Sequence, residues 1–600
     1  MLHRLWSPTD LIKEEIRFHS GLNLIVGRYS KDRNNSGING IGKSSTVRLL
    51  DYMLLSNAQF KRFTSKPYRF MAEQGHSLIL EMTAGKTPLM IKRTFGAKAK
   101  TVTIKVGNAP EVDYTEEAAR DFLGPYFFPG NETSFIRNHG LRSLIPFYLK
   151  DDLLSHTRTD PVKFQTHQGV TERMMTIYAM YLLGLPNKSL IGLEELRAGF
   201  NQQKELQNSL RDRLEKESGK SIEALRTDIA LSDKRVTDLG NALKQFNLME
   251  DFRDLADALT KLESDAAQQR KNVQQAERQL EKLRRFIDIS PEIDREDVIQ
   301  QYMLVSEALG SAVKKTLEQV FTFRESLTNQ RLRFHGKQLQ DLEDMRDAAL
   351  KRLSDLESGR SALMRAVDST DFTETFQGAL ERLVKERGAF ERDKAMLAEI
   401  SRYDTVIADL ELDMQLRRRD ASRAISEVED TIENIRQRFM QIVQEAIAIR
   451  PEEREDAYFD IRPQSGGAAT QLPVKISVSL PKVDALGQSR LMLIAYDLTV
   501  FFHQIAKRLD RPRFLVHDGA FHAIARRTVV KALNFIYRQG IIQDERGEPF
   551  QYIATFNEDE LSQSQEGELR DGKYDFNLDD VTILQLSDEP RNMLFGKQFS

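Results

Sequence analysis

Residues 37–44 read GINGIGKS, and the interpretation of the whole chain starts from this stretch. It fits the pattern G-x-x-x-x-G-K-[ST], which is typical of loops that wrap phosphate groups with backbone N–H groups. The apolar run LNLIV precedes it at residues 22–26, and a helix-like segment follows it at residues 45–55. A helix that begins at such a loop directs the positive end of its dipole at the phosphates. The stretch therefore predicts a strand, a nucleotide-binding loop and a helix.

Individual residues of this loop have distinct expected roles. Lys43 is expected to reach the β- and γ-phosphates of ATP, and Ser44 to bind Mg²⁺. Residues 28–36 form an unusual polar insertion between the strand and the loop. A flexible Gly/Asn loop without a ligand is the competing interpretation. The residues expected to bind the nucleotide are Gly37, Asn39, Gly40, Gly42, Lys43, Ser44 and Ser45.

A second strand that ends in an aspartate is needed to hold the magnesium ion. Residues 513–518 read RFLVHD and place Asp518 at the end of a short apolar run, so Asp518 is the second expected catalytic and metal-binding residue. The strand predicted at 551–557 ends in polar residues, of which Thr555 and Asn557 are candidate sensors of the γ-phosphate.

The residue after Asp518 is Gly519, where a glutamate that polarises the attacking water is expected. The sequence therefore predicts slow ATP hydrolysis, because general-base help is typically worth about 10²–10⁴-fold. Changing Gly519 to Glu is expected to raise the rate or to leave it unchanged. The residues that could substitute for the missing base are His517, His522 and Glu558.

Proline placement divides the chain into three parts. Of the 17 prolines, Pro291 alone lies between residues 187 and 450, which predicts a helical span because proline breaks helices. Residues 1–186 and 451–600 carry the other prolines and the strand-like runs. We expect them to be the N- and C-terminal lobes of one α/β head, joined by a long antiparallel helical insertion. Breaks in the insertion are predicted near residues 246–251, 290–291 and 368–372.

Heptad patterns indicate how the insertion packs. Apolar residues recur at alternating steps of three and four from Phe252 to Ile287, which predicts a left-handed coiled coil. A weaker seam runs from Leu339 to Val367 and contains two arginines. A stack of bundle helices is the alternative. The seams also do not say whether the partner helix belongs to the same chain, although closing a loop within one chain costs little and favours that arrangement.

Composition excludes several classes of protein. The chain has 600 residues, and its 87 Lys and Arg against 90 Asp and Glu give a net charge of -3, which excludes a histone-like binder. The absence of Cys excludes disulfides and thiolate metal sites and suits a reducing cytosol. Short apolar runs predict a cytoplasmic protein without a membrane partner. Basic stretches at 61–69, 92–100 and 417–419 are interpreted first as solvated faces.

In these motifs the chain resembles the SMC/RecF/RecN-type branch of the ABC ATPases, and more narrowly a poorly characterised bacterial family of such proteins. Besides residues 37–44 and 516–518, the segments 182–185, 551–561 and 584–596 carry the resemblance. It implies a split ABC-type P-loop head that uses ATP and Mg²⁺. It also implies dimerisation through the heads, contact with DNA and association with the nucleoid.

The signature motif of that branch is degenerate here. Where L-S-G-G-[QE] is expected, residues 485–490 read ALGQSR. Gly487 and Ser489 are the residues that would present N–H and hydroxyl groups to the nucleotide of a partner head. The switch histidine of the branch has no match in this chain, and Thr555 lies near its place.

Three functions of different classes follow. The first is an ATP-driven machine on DNA in repair, chromosome maintenance or anti-phage defence. The second is a slow or non-hydrolysing ATP-gated scaffold that controls a partner protein encoded nearby, and Gly519 favours it. The third, a purely structural coiled-coil protein, is disfavoured by the phosphate-binding loop. The ten histidines show no metal-ligand spacing.

Overall fold

A computed structural model describes residues 1–29, 40–96, 100–129, 140–150, 160–163, 171–245, 250–288, 317–367, 373–464, 468, 470–481 and 486–596. The chain divides into two compact units. One consists of Met1–Lys204 together with Thr405–Ser600, and the other is Glu205–Asp404. The predicted breaks at 290–291 and 368–372 lie outside the described residues. The one near 246–251 does so except at residues 250 and 251, which are helical.

A five-stranded parallel sheet is the centre of the first unit. Its strands are β3 (Gly21–Arg28), β8 (Leu149–Lys150), β11 (Phe514–His517), β12 (Gln551–Asn557) and β13 (Thr582–Ser587). Their order is β13-β3-β12-β11-β8, so strands from both ends of the chain are combined in one sheet. Buried strands of parallel sheets are apolar along their whole length, which is why residues 22–26 carry no polar alternation.

An antiparallel six-stranded sheet lies in the same unit. Its strands are β1 (Leu2–Trp6), β2 (Ile16–Arg17), β4 (Ser77–Ala84), β5 (Thr87–Thr94), β6 (Thr101–Val106) and β7 (Val112–Thr115). They follow the order β2-β1-β4-β5-β6-β7. A short hairpin of β9 (Tyr458–Pro463) and β10 (Val474–Ser479) completes the described strands.

One buried side chain ties the two large sheets together. Gln551 at the start of β12 accepts a hydrogen bond from the N–H of Leu2 and donates one to the carbonyl of the same residue, each at 2.7 Å. The Gln551 side-chain amide thereby makes the two hydrogen bonds that a neighbouring strand would make to Leu2 of β1. It satisfies both polar groups of Leu2, which would be costly to bury alone.

Helices cover the parallel sheet. Those before residue 183 are α1 (Lys43–Met53), α2 (Asn57–Phe63), α3 (Arg69–Glu73), α4 (Glu116–Phe127) and α5 (Glu172–Leu182). Those after residue 428 are α11 (Glu429–Ala446), α12 (Leu486–Ala506), α13 (Arg526–Glu545), α14 (Glu558–Leu561), α15 (Gln565–Asp571) and α16 (Leu578–Val581). Helix α13 packs against β3 so closely that a Cβ on Gly540 would lie 3.0 Å from the Cα of Gly21.

Long helices make up the second unit, and two of them continue into the first. They are α6 (Lys188–Ser218), α7 (Ile222–Gln245), α8 (Glu250–Asp288), α9 (Leu317–Val367) and α10 (Thr373–Ser426). Two ion pairs between α8 and α9 show that the helices run in opposite directions. Arg270 lies 3.0 Å from Glu357 and Arg360 lies 3.1 Å from Glu263, so residue numbers rise along one helix as they fall along the other. The pair is antiparallel.

The two heptad seams are the facing sides of this pair. Leu259, Ala266, Ala276 and Leu280 of the first seam are buried, and the Cδ2 of Leu262 lies 3.8 Å from where a Cβ on Gly359 would be. Along the second seam Ala349 is buried, and its other described members are partly covered. Of the two arginines in the second seam, Arg360 reaches across to Glu263 of α8, and Arg346 pairs with Asp347 of its own helix. None of the helices in the described ranges has the length and hydropathy that crossing a bilayer requires.

Candidate functional site

The site lies where the carboxyl ends of three parallel strands meet. β3, β12 and β11 are neighbours in the sheet, so Gly27, Asn557 and Asp518 come to the same edge. Ligands of open parallel sheets bind at this edge, because the loops that leave the strands surround a crevice there. Helix α1 begins at the same edge with Lys43.

Lys43 extends back along the end of β3. A Cβ on Gly27 would lie 2.9 Å from the Lys43 Nζ, so glycine at the strand end leaves room for the ammonium group. Burial lowers the pKa of Lys43, while the charges of Glu560, Asp518 and Asp559 oppose that shift. Lys43 and Asp518 belong to opposite flanks of the sequence, and the fold brings them close enough for their charges to interact.

The described part of the loop is shaped by glycine. Gly40 has a φ of 81° and Gly42 a φ of 120°, a region that favours glycine. A Cβ on Gly42 would lie 2.4 Å from the Cβ of Leu594, and the Leu594 N–H donates to the carbonyl of Ile41 at 3.1 Å. The C-terminal segment therefore holds the loop against α1. Gly37 and Asn39 lie outside the described residues.

Ser44 and Ser45 occupy the first turn of α1 and are half-buried. The first N–H groups of a helix have no acceptor within it, so this turn offers donors to an anion. Within the described ranges no three His, Asp or Glu side chains are placed to hold a metal ion by themselves. One serine and one buried carboxylate fit Mg²⁺ nevertheless, since this ion usually takes most of its ligands from water and substrate phosphates.

Asp518 is buried, and both its backbone and its side chain are hydrogen-bonded. Its N–H donates to the carbonyl of Lys150 at 2.9 Å, and its Oδ1 accepts from the hydroxyl of Thr555 at 2.6 Å. The same hydroxyl accepts from the Gly519 N–H at 3.1 Å. Thr555 therefore bridges the predicted metal-binding residue and the position where a glutamate was expected from the motif.

Gly519 has a φ of 69°, in the left-handed region. A side chain there costs about 1–2 kcal/mol relative to ordinary backbone. Of the two outcomes expected for Glu at position 519, an increased or an unchanged rate, this backbone favours the unchanged rate, because the turn that follows Asp518 suits glycine.

The three proposed substitute bases differ in their surroundings. His517 is fully buried and bonded through both ring nitrogens, to Tyr552 at 2.9 Å and to Asp497 at 3.0 Å. Glu558 accepts a bond from the Tyr29 N–H at 3.3 Å and so is turned toward the end of β3. His522 is exposed.

His522 is the one of the three that combines an exposed imidazole with a hydrogen bond to a carboxylate. Its Nδ1 lies 3.2 Å from Glu560 Oε1. The other oxygen of Glu560 accepts from the N–H of Asn557 at 2.7 Å. A histidine held by a carboxylate can accept a proton at its second nitrogen. Asn557, a predicted sensor, contributes its backbone to this arrangement.

The signature-like segment lies beside the loop that follows Asp518. Gly487 and Ser489 are in the first turn of α12, and a Cβ on Gly487 would lie 3.0 Å from the carbonyl oxygen of Ala523. Arg490 donates to the carbonyl of His522. Ala485, the first residue of the predicted motif, lies outside the described residues.

Sequence reasoning missed a buried polar cluster behind Asp518. It consists of Lys150, Asp497, His517 and Tyr552, drawn from β8, α12, β11 and β12. One signal was available, because Asp497 is the single charged residue in the apolar run 491–502. Charged residues are almost never fully buried unless they are paired.

One family model matches the C-terminal part of the chain. Residues 439–599 match the model of a family described as an uncharacterised protein conserved in bacteria (DUF2326). No curated protein matches the sequence.

Two solved structures of SMC head domains match the chain over most of its length at low identity. A Pyrococcus yayanosii Smc head domain with a coiled coil and joint is 14% identical, with 92% of each chain covered and a TM-score of 0.34. A Pyrococcus furiosus Smc head domain with an extended coiled coil, bound to the C-terminal domain of ScpA, is 10% identical. There 93% of this chain and 90% of that chain are covered, with a TM-score of 0.32.

Proposed function

We propose that this protein is an SMC-like ATPase that binds ATP with Mg²⁺ at the edge formed by β3, β12 and β11. The observation that carries the proposal is the placement of Lys43. It stands at the first position of a helix that follows the parallel strand β3, and the charge of Asp518 at the end of β11, two strands away, acts on it. A cation at a helix N-terminus with a buried carboxylate nearby suits a phosphate chain with a bound metal.

Each residue of the site has a proposed task. Lys43 and the first-turn N–H groups of α1 hold the phosphates, with Gly37, Asn39, Gly40, Gly42 and Ser45 shaping and lining the loop. Ser44 and Asp518 would hold the magnesium ion, which neutralises phosphate charge when bound. Thr555 fixes the Asp518 carboxylate. His522, oriented by Glu560, accepts the proton of the attacking water in place of a glutamate at 519.

At the level of the molecule, we propose that the unit with both chain ends is a split ABC-type head. One sheet combines two strands from residues 21–150 with three strands from residues 514–587. Two such heads would enclose ATP, with Gly487 and Ser489 of one facing the loop of the other. The closure of this homodimer would move the helical arms on DNA, in repair, chromosome maintenance or anti-phage defence.

Burial narrows the candidate DNA-binding residues. Arg93 is fully buried, where it pairs with Glu116 and lies over the ring of Tyr52. Arg418 is also buried and donates to the carbonyl of Ala468. These two arginines stabilise the fold, so a DNA surface has to be built from other cations of the three basic stretches.

A second candidate function is favoured by Gly519. Its left-handed backbone leaves no strain-free place for a glutamate, and this suits a protein that binds ATP and hydrolyses it slowly. Such a protein would act as an ATP-gated scaffold for a partner encoded nearby. The rate of ATP hydrolysis distinguishes the two functions. Duplex DNA is expected to raise this rate if the protein is an ATP-driven machine on DNA, and not if it is an ATP-gated scaffold.

Calorimetry of ATP binding with Mg²⁺ tests the shared premise. We expect Lys43→Ala to abolish binding, because the ammonium group proposed to contact the phosphates is removed. Lys86→Ala is the matched control, since Lys86 is exposed in the turn between β4 and β5. Wild-type affinity in the Lys43→Ala variant would show that this loop is not the nucleotide site.

A further inference from the structure

Four buried side chains form a continuous polar chain behind the candidate site. The Lys150 Nζ lies 2.7 Å from Asp497 Oδ2, and the His517 Nε2 lies 3.0 Å from the same oxygen. The His517 Nδ1 lies 2.9 Å from the Tyr552 hydroxyl. The side chains of Lys150, Asp497 and His517 are at most 3% exposed. Neither the proposed catalytic steps nor the nucleotide contacts use this cluster.

The donors and acceptors of the cluster determine which nitrogen of His517 carries a proton. The ionised Asp497 carboxylate only accepts hydrogen bonds, so the His517 Nε2 carries a proton. The His517 Nδ1 then accepts from the Tyr552 hydroxyl, which is the arrangement of a neutral imidazole. Burial lowers the pKa of His517, against the opposing effect of Asp497, in agreement with that assignment. Lys150 also donates to the carbonyl of Phe147 at 3.1 Å.

The cluster is joined to Asp518 from two directions. His517 is the residue before it in the chain, at the end of β11. Lys150 pairs with His517 across the sheet, and its carbonyl accepts the Asp518 N–H at 2.9 Å. β8 consists of two residues, so its position depends on few ladder bonds. The ion pair to Asp497 is a strong additional attachment of that strand to α12.

We propose that Asp497 is a positioning residue for Asp518, acting through Lys150 and His517 to fix the end of β11. The proposal rests on the proposed function, in which Asp518 helps to hold magnesium. Removing the charge of Asp497 leaves the Lys150 ammonium buried without its counter-ion, which is strongly unfavourable. The Lys150 ammonium then moves toward other acceptors. The Lys150 carbonyl, which accepts the Asp518 N–H, shifts with it.

The test is a Mg²⁺ titration of ATP binding in Asp497→Asn. ATP binding without magnesium depends on Lys43 and the helix N-terminus and is expected to stay unchanged. The Mg²⁺ concentration for half-maximal binding is expected to rise by about tenfold, the lower end of the usual effect of residues that orient metal ligands. A purely structural role would lower the melting temperature and leave the magnesium dependence alone.

A double-variant cycle shows whether Asp497 acts through Asp518. We expect the double variant Asp497→Asn/Asp518→Asn to have the magnesium dependence of Asp518→Asn alone. Tyr148→Phe is the matched control, because the Tyr148 hydroxyl ties the residue before β8 to Gln504 of the same helix α12 at 3.0 Å. It loosens the helix without touching the cluster, and its magnesium dependence is expected to match that of the wild type.

A milder variant keeps the proposal open to refutation if Asp497→Asn does not fold. Tyr552→Phe removes only the hydroxyl that orients His517, and it is expected to raise the required Mg²⁺ by about threefold, the equivalent of one neutral hydrogen bond.

Unchanged magnesium dependence in the folded variants, or additive effects in the cycle, would refute the positioning role while the proposed function stands. If the wild type shows no Mg²⁺-dependent ATP binding, the proposed function and this inference both fail.

Discussion

At the scale of single residues, the role of each polar group in the candidate site depends on whether it is hydrogen-bonded within the protein. Thr555 is a candidate sensor of the γ-phosphate, and its hydroxyl connects Asp518 with Gly519. His517 was a candidate base, and both its ring nitrogens are bonded in the interior. These assignments depend on hydrogen-bond partners far away in sequence, as with Asp497, 20 residues from His517.

Replacing Thr555 by Val tests the bridge to Asp518. The change keeps the shape of the side chain and removes the hydroxyl, so a buried carboxylate oxygen and the Gly519 N–H both lose a partner. An unsatisfied buried group costs about 1–3 kcal/mol, and we expect a loss of stability in that range together with weaker magnesium-dependent ATP binding. Thr555→Ser keeps the hydroxyl and serves as the control in denaturation and calorimetry. Equal stability of both variants would contradict the bridging role.

Glutamate introduced at position 519 is not expected to act as the missing general base for ATP hydrolysis. The left-handed backbone at Gly519 makes Gly519→Glu about 1–2 kcal/mol less stable, and we expect no increase in ATP turnover. Gly519→Ala carries the same backbone strain without a carboxylate. Steady-state turnover that rises in the Glu variant but not in the Ala variant would show that the carboxylate reaches the attacking water.

At the scale of elements, α8 and α9 form an antiparallel pair. Ion pairs at the edges of the two seams show which residues face each other. Arg270 faces Glu357, and Arg360 faces Glu263. Exposed ion pairs stabilise little, so the pairing itself derives from the buried seam residues. The ion pairs are useful here as markers of register.

Crosslinking tests both the register and the chain identity of this pair. The protein has no cysteine, so Arg270→Cys with Glu357→Cys creates the only two thiols. We expect a short bismaleimide to join them within one chain, as judged in mixtures of long-tagged and untagged chains. Arg270→Cys with Asp341→Cys is the out-of-register control, because position 341 is about 24 Å further along the helix. Mixed-chain products from the first pair would mean that the arms pair between molecules.

At the scale of the whole molecule, both ends of the chain are needed for one sheet. β3 has β12 and β13 as its two neighbours, and β8 pairs with β11. An N-terminal fragment would therefore expose both edges of β3. The helices that lead out of and back into this unit are adjacent, since Gln207 Nε2 donates to Asp404 Oδ1 at 2.6 Å.

The unit with both chain ends is expected to fold without residues 205–404. A linker of about eight Gly and Ser residues spans roughly 15 Å on average, which suffices to join Lys204 to Thr405. We expect the shortened protein to unfold cooperatively and to bind ATP with unchanged affinity, whereas residues 1–204 alone are expected to remain unfolded. Circular dichroism and calorimetry measure both. A stable fragment 1–204 would contradict the shared sheet.

The amino-acid sequence by itself determined the features that depend on local pattern. The G-x-x-x-x-G-K-S pattern at 37–44, the apolar strands around residues 22–26 and 513–517, and both heptad seams could be identified from spacing. These patterns are local because one strand, turn or helix face is specified by residues only a few positions apart. The sequence also suggested Asp518, because a phosphate-binding loop requires a second strand that ends in a carboxylate for its metal ion.

Only the tertiary structure decided which distant groups meet. Nothing in the sequence pairs Gln551 with Leu2, sets Leu594 against Gly42 or connects Asp497 to Lys150 and His517. Such contacts depend on the order of strands in the sheet and on the path of each loop, and many sequences with the same local pattern would bring other residues together. The backbone angle at Gly519 is likewise set by the turn that carries it, because glycine adopts positive and negative φ with similar ease.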